Sequence, residues 1–285
     1  MRSIKILIIL LFLSFNVSAE NLVNEDFINT KGGVYIAEIS EKEYKIGLKY
    51  GEIDLLTKKY NDKYYLIYGI PYNLSSNIHK IKVTSKKSEK YYKIILKDIL
   101  FDKQYIEISK RFLKPSSRQI KRIMEEKKLL LEARPIWTNN DPDLKFRKPV
   151  DGVITGNFGT ERYYNNKKGR HHNGLDIAAP IGTKIVAPSK GTILLAENFF
   201  YNGKFVMIDH GKGLLSMYLH MDKILVKKGD RVNKGDNIGL VGNTGKSSGA
   251  HLHWSILLNQ KYINPLLFLM DKGKLDKAHI LLEEK

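Results

Sequence analysis

Apolar residues in the first part of the chain fall in short runs, GVYIAEI, YKIGLKY, KYYLIYGI and KYYKIILK, between about Gly32 and Ile108. Tyr, Ile and Val dominate these runs, alternation with polar residues is partial, and Gly, Asn, Asp and Ser-Lys turns separate them. That pattern predicts short antiparallel strands in a small β-sandwich-like domain or barrel. The period then changes. In KPSSRQIKRIMEEKKLLLEARP, Ile120, Ile123, Met124, Leu130 and Leu131 recur at helical spacing. Ser116 followed by Gln119 fits a capping box, and the residue before Pro135 is a natural stop. This helix and the polar stretch TNNDPD predict a connector. From about Arg147 glycines become dense, as in GNFGTERYYNNKKG and KKGDRVNKGDNIGLVGNTGKSSG, with short apolar strands between them. Repeated glycine turns around short strands predict a second, compact all-β domain.

The chain opens on a different pattern. Arg2 and Lys5 precede ILIILLFLSF, and Val17-Ser18-Ala19 follows with small residues, which predicts a secretory signal cleaved after Ala19. The apolar run is shorter than the roughly 20 residues of a membrane span, so no stable anchor is expected after cleavage. The expected organisation is therefore a signal over 1–19, a β-rich domain over 20–110, a helical connector over 111–146, a second β domain over 147–270 and a tail over 271–285.

Composition narrows the chemistry. There is no cysteine among the 285 residues, which excludes disulfides, thiolate metal sites and a cysteine nucleophile. Metal ligands, if any, must be His, Asp or Glu. The formal net charge of +18 favours polyanionic partners. Export makes an anionic cell envelope the expected counterpart, and no nucleic-acid motif is present, so no nucleic acid is expected.

Six of the eight histidines, 171, 172, 210, 220, 251 and 253, lie in the second domain. His172 and Asp176 stand in an H-x-x-x-D arrangement around Gly174; both side chains are competent zinc ligands, although the spacing alone is a weak signal. In HLHW, strand alternation puts His251 and His253 on one face and Leu252 on the other. Such a pair suits a metal site or a hydrogen-bonded face. In SMYLHM, Tyr218 and His220 are expected to share a face across Leu219, either packed in the core or turned to a site. His210 reads as a turn residue after a strand, and His79 as structural or exposed. No histidine precedes a glutamate, so the H-E-x-x-H helix is absent.

Taken in order, HHNGLDIAAPIGTKIVAPSKGTI, MIDHGKGLLSMYLHM, VKKGDRVNKGDNIGLVGNTGKSSGAHLHWSI and INPLLFL resemble the lysostaphin-type (LytM-like) zinc metallopeptidases that cut peptidoglycan peptides. The likeness spans about Pro149 to Leu269, and the β-rich region before it resembles the N-terminal module of some exported members. It implies an antiparallel β-sheet metallopeptidase domain binding one Zn2+ per chain through His172, Asp176 and His253. His251 and His220 would then be the uncoordinated pair, one taking a proton from the attacking water, the other assisting the oxyanion or the leaving nitrogen. Residue spacing does not choose between His251 and His253 as ligand; the family pattern does. His171, beside the metal histidine, departs from that pattern. The implied protein is a periplasmic hydrolase of peptidoglycan peptides, with a catalytically inactive activator of a cell-wall amidase as the alternative. The loops around FGTERYYNNKKG and GKSSGAHLH are expected to wall a groove.

Overall fold

A computed structural model describes residues 23–86 and 88–269; the expected signal and tail lie outside the described residues. Six antiparallel strands form the first sheet: β1 (Val34–Ile39), β2 (Leu48–Tyr50), β3 (Ile53–Tyr60), β4 (Lys63–Gly69), β5 (Ile78–Thr84) and β6 (Glu89–Ile95), in the order β1-β4-β3-β2-β5-β6. Strand β3 serves both halves. Its start pairs with β2 up to Leu55, and from Leu56 onward it pairs with β4. The sheet bends there and rolls until its edge strands touch, with the rings of Tyr35 and Tyr92 5.5 Å apart. The sandwich-like form is thus one sheet folded on itself.

The run KYYLIYGI becomes β4, and its burial explains why alternation in the sequence is only partial. Leu66 and Tyr68 face the interior of the roll, packed with Leu55, Ile81, Val83 and Ile94. Tyr65 and Ile67 face the other way and join the core of the second β region, together with Val34 and Leu56. A strand buried on both faces carries a continuous apolar run.

Helix α1 (Glu41–Ile46) joins β1 to β2, strand β7 (Lys103–Ile106) leaves the roll, and α2 (Lys110–Leu113) and α3 (Ser117–Ala133) follow. Ser116 and Gln119 close the capping box at the start of α3. The helix lies on the outside of the second sheet. Leu130 and Ala133 pack there, Glu126 accepts from the backbone N–H of Phe200, and Arg122 donates to the Asn198 carbonyl. In the polar stretch beyond it, Asp141 pairs with Lys58 of β3 and with Lys212.

The second region contains β8 (Val153–Gly156), β9 (Glu161–Tyr164), β10 (Lys167–His171), β11 (Leu175–Ala178), β12 (Lys184–Val186), β13 (Gly191–Phe199), β14 (Gly203–Gly211), β15 (Leu214–Met221), β16 (Lys223–Ile224), β17 (Arg231–Val232), β18 (Asn237–Leu240), β19 (His251–Leu258) and β20 (Lys261–Ile263). The main sheet runs β17-β13-β14-β15-β19-β11-β8 with β20 beside β19, and β12-β18-β16 forms a small flanking sheet. All of these pairings are antiparallel. One face of the main sheet, with Leu175, Ile177, Tyr218, Leu252, Trp254 and Ile256, builds the shared core. Strand β7, from the region before the connector, pairs in parallel with β9, whose other neighbour is β10. Among the described residues no helix is long and apolar enough to cross a membrane.

Candidate metal centre

The site is built on the face of the main sheet opposite the shared core, where β11 and β19 run side by side. Asp176 lies directly across from His253, and Ala178 across from His251. Alternation turns Leu252 and Trp254 into the core and leaves both imidazoles on the site face. His172 joins them from the turn between β10 and β11, anchored by its N–H to the Thr160 carbonyl. Gly174 makes that turn possible: a Cβ there would stand 2.4 Å from the Trp254 carbonyl oxygen and 2.8 Å from His253 Nε2.

Three donor atoms converge. Asp176 Oδ1 is 3.0 Å from His172 Nε2 and 2.8 Å from His253 Nδ1, and the two nitrogens are 2.9 Å apart. All three residues are buried. The remaining ring nitrogens are committed elsewhere. His172 Nδ1 donates to the Asn157 carbonyl at 2.7 Å, and His253 Nε2 is hydrogen-bonded with Ser255 Oγ at 2.8 Å. His172 Nε2, and His253 Nδ1 when its ring proton lies on Nε2 toward Ser255, then present lone pairs to a carboxylate oxygen that also has only lone pairs to offer. A cation resolves that repulsion. Zinc–ligand bonds of about 2.0–2.2 Å imply ligand atoms about 3.3 Å apart in a tetrahedron, so this compact, all-acceptor triangle fits a zinc ion with one side left open.

The second carboxylate oxygen, Asp176 Oδ2, is bound by the guanidinium of Arg162 from β9. Arg162 is itself steadied by Gln104 of β7, whose Oε1 accepts from its Nε at 3.1 Å. Burial alone would raise the Asp176 carboxyl, but when a proton rather than a cation sits between the groups, the charge and hydrogen bonds of His172 and His253 outweigh it and hold it well below the ordinary carboxylate range. His253 moves from 6.5 to about 4, chiefly through burial.

Two more imidazoles flank the triangle. His251 is half-buried, donates from Nδ1 to the Gly249 carbonyl at 2.9 Å, and points Nε2 to within 3.6 Å of Asp176 Oδ1. His220 donates from Nδ1 to the Thr244 carbonyl at 2.8 Å; its ring centroid is 5.0 Å from that of His251. Burial, then the neighbouring His251 and His253, pushes His220 down to about 3. In each ring Nδ1 is thus taken by a backbone carbonyl, which leaves Nε2 as the nitrogen available to the site.

The expected common face of Tyr218 and His220 is overturned. Tyr218 is buried in the shared core, its hydroxyl bonded to Ser216 Oγ at 2.8 Å. The register of β15 shifts against β14 just after it, and His220 takes a left-handed backbone with φ 65°. That irregularity turns His220 out of the core and onto the site, against the simple alternation of a strand. His210 is also placed differently: it lies inside β14, fully buried and away from the cluster, between the Lys190 carbonyl and Ser216 Oγ. His171 faces the other way from His172, between Tyr72 and Phe101. His79 stacks on Tyr68 and bonds its hydroxyl.

Arg162 and Gln104 have no signal in the sequence, since their roles arise from the pairing of β7 with β9. Ser255 had one: two residues past His253 in a strand, it must share its face.

Residues 170–265 match peptidase family M23. The chain is 41% identical over 123 residues to the peptidoglycan DD-endopeptidase ShyA of Vibrio cholerae, a match covering 42% of this chain and 29% of that protein. It is 36% identical over 129 residues to the murein hydrolase activator NlpD of Salmonella typhimurium, covering 45% and 32%. The chain thus spans about a third or less of the length of these curated relatives. A solved structure of a putative M23 peptidase from Pseudomonas aeruginosa superimposes with a TM-score of 0.69 at 29% identity, covering 85% of this chain and 95% of that one.

Proposed function

This chain belongs to peptidase family M23, the LytM-type peptidases, and from that premise we propose that it is a zinc-dependent hydrolase of peptide bonds in peptidoglycan stem peptides or cross-links. The observation that carries the reading is the convergence of three lone-pair donors from His172, Asp176 and His253, flanked by two imidazoles with free Nε2 atoms. The names of the similar DD-endopeptidases support the substrate class. The net charge of +18 suits work against an anionic cell envelope, and the opening sequence supports export to the periplasm.

His172 Nε2, Asp176 Oδ1 and His253 Nδ1 would hold the ion. A zinc ion so held supplies a Lewis acid that polarises a carbonyl and acidifies water toward a pKa of about 7. The rest belongs to the chain. His251, the more open of the flanking pair, takes the proton of the attacking water on Nε2, and its Nδ1–H bond to Gly249 stabilises the imidazolium so formed. That proton then passes to the departing amine as its C–N bond breaks, directly from His251 or by way of the neighbouring His220 Nε2. Arg162 keeps Asp176 Oδ2 occupied, so that a single carboxylate oxygen faces the site.

The likeness to NlpD supports a second reading, in which the chain binds and activates a cell-wall amidase. The complete set of five side chains favours the first. Incubating the zinc-loaded protein with purified sacculi separates them. Release of muropeptides without added amidase, lost in His253→Ala, is the expected result. No release without amidase, with equal stimulation of an amidase by wild type and variant, would establish the activator instead.

A further inference from the structure

The two loops expected to wall a groove meet where Lys246 Nζ stands 3.3 Å from the centroid of the Tyr164 ring. Each loop is tied to the metal centre. Tyr164 shares β9 with Arg162, which binds Asp176. Lys246 shares its loop with Thr244 and Gly249, whose carbonyls fix the His220 and His251 rings. Neither partner is loosely placed. The Lys246 backbone N–H donates to the Tyr201 carbonyl at 2.8 Å. The Tyr164 ring lies over Gly169, where a Cβ would come within 2.6 Å of it. The ammonium is thus held between the strand that carries Arg162 and the loop whose carbonyls fix the His220 and His251 rings.

Among the described residues no carboxylate pairs with Lys246. The acid of the cluster, Asp176, already carries Arg162 on one oxygen and two histidines on the other. Stacking on an aromatic face recovers part of the cost of burying a cation, but supplies no counter-charge. Burial, then the charge of Arg162, pushes Lys246 down to about 8, as expected of an ammonium without an anion beside it.

We propose that Lys246 is a specificity-determining residue that binds a free carboxylate of the peptide close to the scissile bond. The inference rests on the peptidase reading and sharpens it: the site selects carboxylate-bearing peptides over neutral or amidated ones. A flexible ammonium on a tyrosine face can turn to an incoming carboxylate without breaking any ion pair of its own.

The test compares two purified muropeptide dimers that differ only in whether the carboxylate next to the cross-link is free or amidated, using the zinc-loaded full chain, Lys246→Met and Lys246→Arg. Wild type should cut the free acid with a kcat/KM about tenfold higher, the order expected for one charge-assisted contact. Lys246→Met should lose that advantage through a higher KM and cut the two dimers alike, while Lys246→Arg keeps the preference. Equal cutting of both dimers by wild type overturns the inference alone. So does an equal loss on both dimers in Lys246→Met, which would mark the contact as a mere latch between loops. Hydrolysis of neither dimer by wild type overturns the peptidase reading and this inference with it.

Discussion

His172 must carry its ring proton on Nδ1, because the Asn157 carbonyl bonded there can only accept. That single proton position leaves Nε2 free to serve as a ligand, and Ser255 Oγ, which can accept from His253 Nε2, permits the same role for His253 Nδ1. Such outer contacts typically matter 10–100-fold to metal affinity. Arg162→Gln, which strips the guanidinium from Asp176 Oδ2, should accordingly weaken zinc binding about tenfold in a chelator competition, while unchanged affinity would show the ion pair to be incidental. His210 makes a separate, pH-dependent contribution. Burial lowers it from 6.5 to about 4, so as pH falls the unfolded chain takes the proton first. Its contribution is complete above about pH 6.5 and is lost toward pH 4, by at most about 1.4 kcal/mol per pH unit. Urea unfolding of metal-free protein at pH 7 and pH 4.5 should show a smaller acid loss in His210→Asn than in wild type. Equal losses would contradict this account. At this scale the shared face of His251 and His253 was legible from H-x-H in a strand, whereas the H-x-x-x-D spacing was a weak signal and the choice of His253 over His251 came from the family resemblance. Arg162 was not legible, since nothing local marks a residue whose partner is 14 positions away across a turn.

Strand alternation delivers His251 and His253 to one face of β19, and the bulge in β15 delivers His220. The first was readable in HLHW; the second was not, because an irregular register leaves no trace in SMYLHM and depends on β14 pairing alongside. A left-handed backbone at a non-glycine residue is strained by about 1–3 kcal/mol, and glycine adopts φ 65° without that strain. His220→Gly should therefore stay folded, with a melting temperature within a few degrees of wild type as strain relief offsets lost packing, yet release little muropeptide. A variant that keeps full release would remove His220 from the chemistry. The helix α3 was read from its period and capping box, but the faces it shows were not: Leu130 is packed, whereas Met124 and Leu131 are exposed.

Over the whole molecule, the rolled N-terminal sheet and the M23 region share a core. Val34, Leu56, Tyr65 and Ile67 are buried against Leu175, Trp254 and Ile263, Asn259 exchanges two hydrogen bonds with Gly69, and β7 extends the sheet that holds Arg162. The doubly apolar run of β4 was the one hint of this in the sequence, and it can be understood only once both faces have partners. A chain beginning at Pro142 would expose that interface, at roughly 1.5–3 kcal/mol for each large side chain uncovered. It should elute as aggregate or soluble oligomer and bind a hydrophobic dye in size-exclusion and fluorescence experiments. A monodisperse fragment with the melting temperature of the full chain would show the two regions to be independent.

The account depends most on one ion held between β11, β19 and the turn before β11. Elemental analysis of the purified chain after zinc loading and exhaustive dialysis, beside His253→Ala and Asp176→Ala, addresses it directly. The account predicts one zinc per chain in wild type and almost none in either variant, with all three folded by circular dichroism. Full zinc retention in the variants, or a folded wild type that holds none, would contradict it.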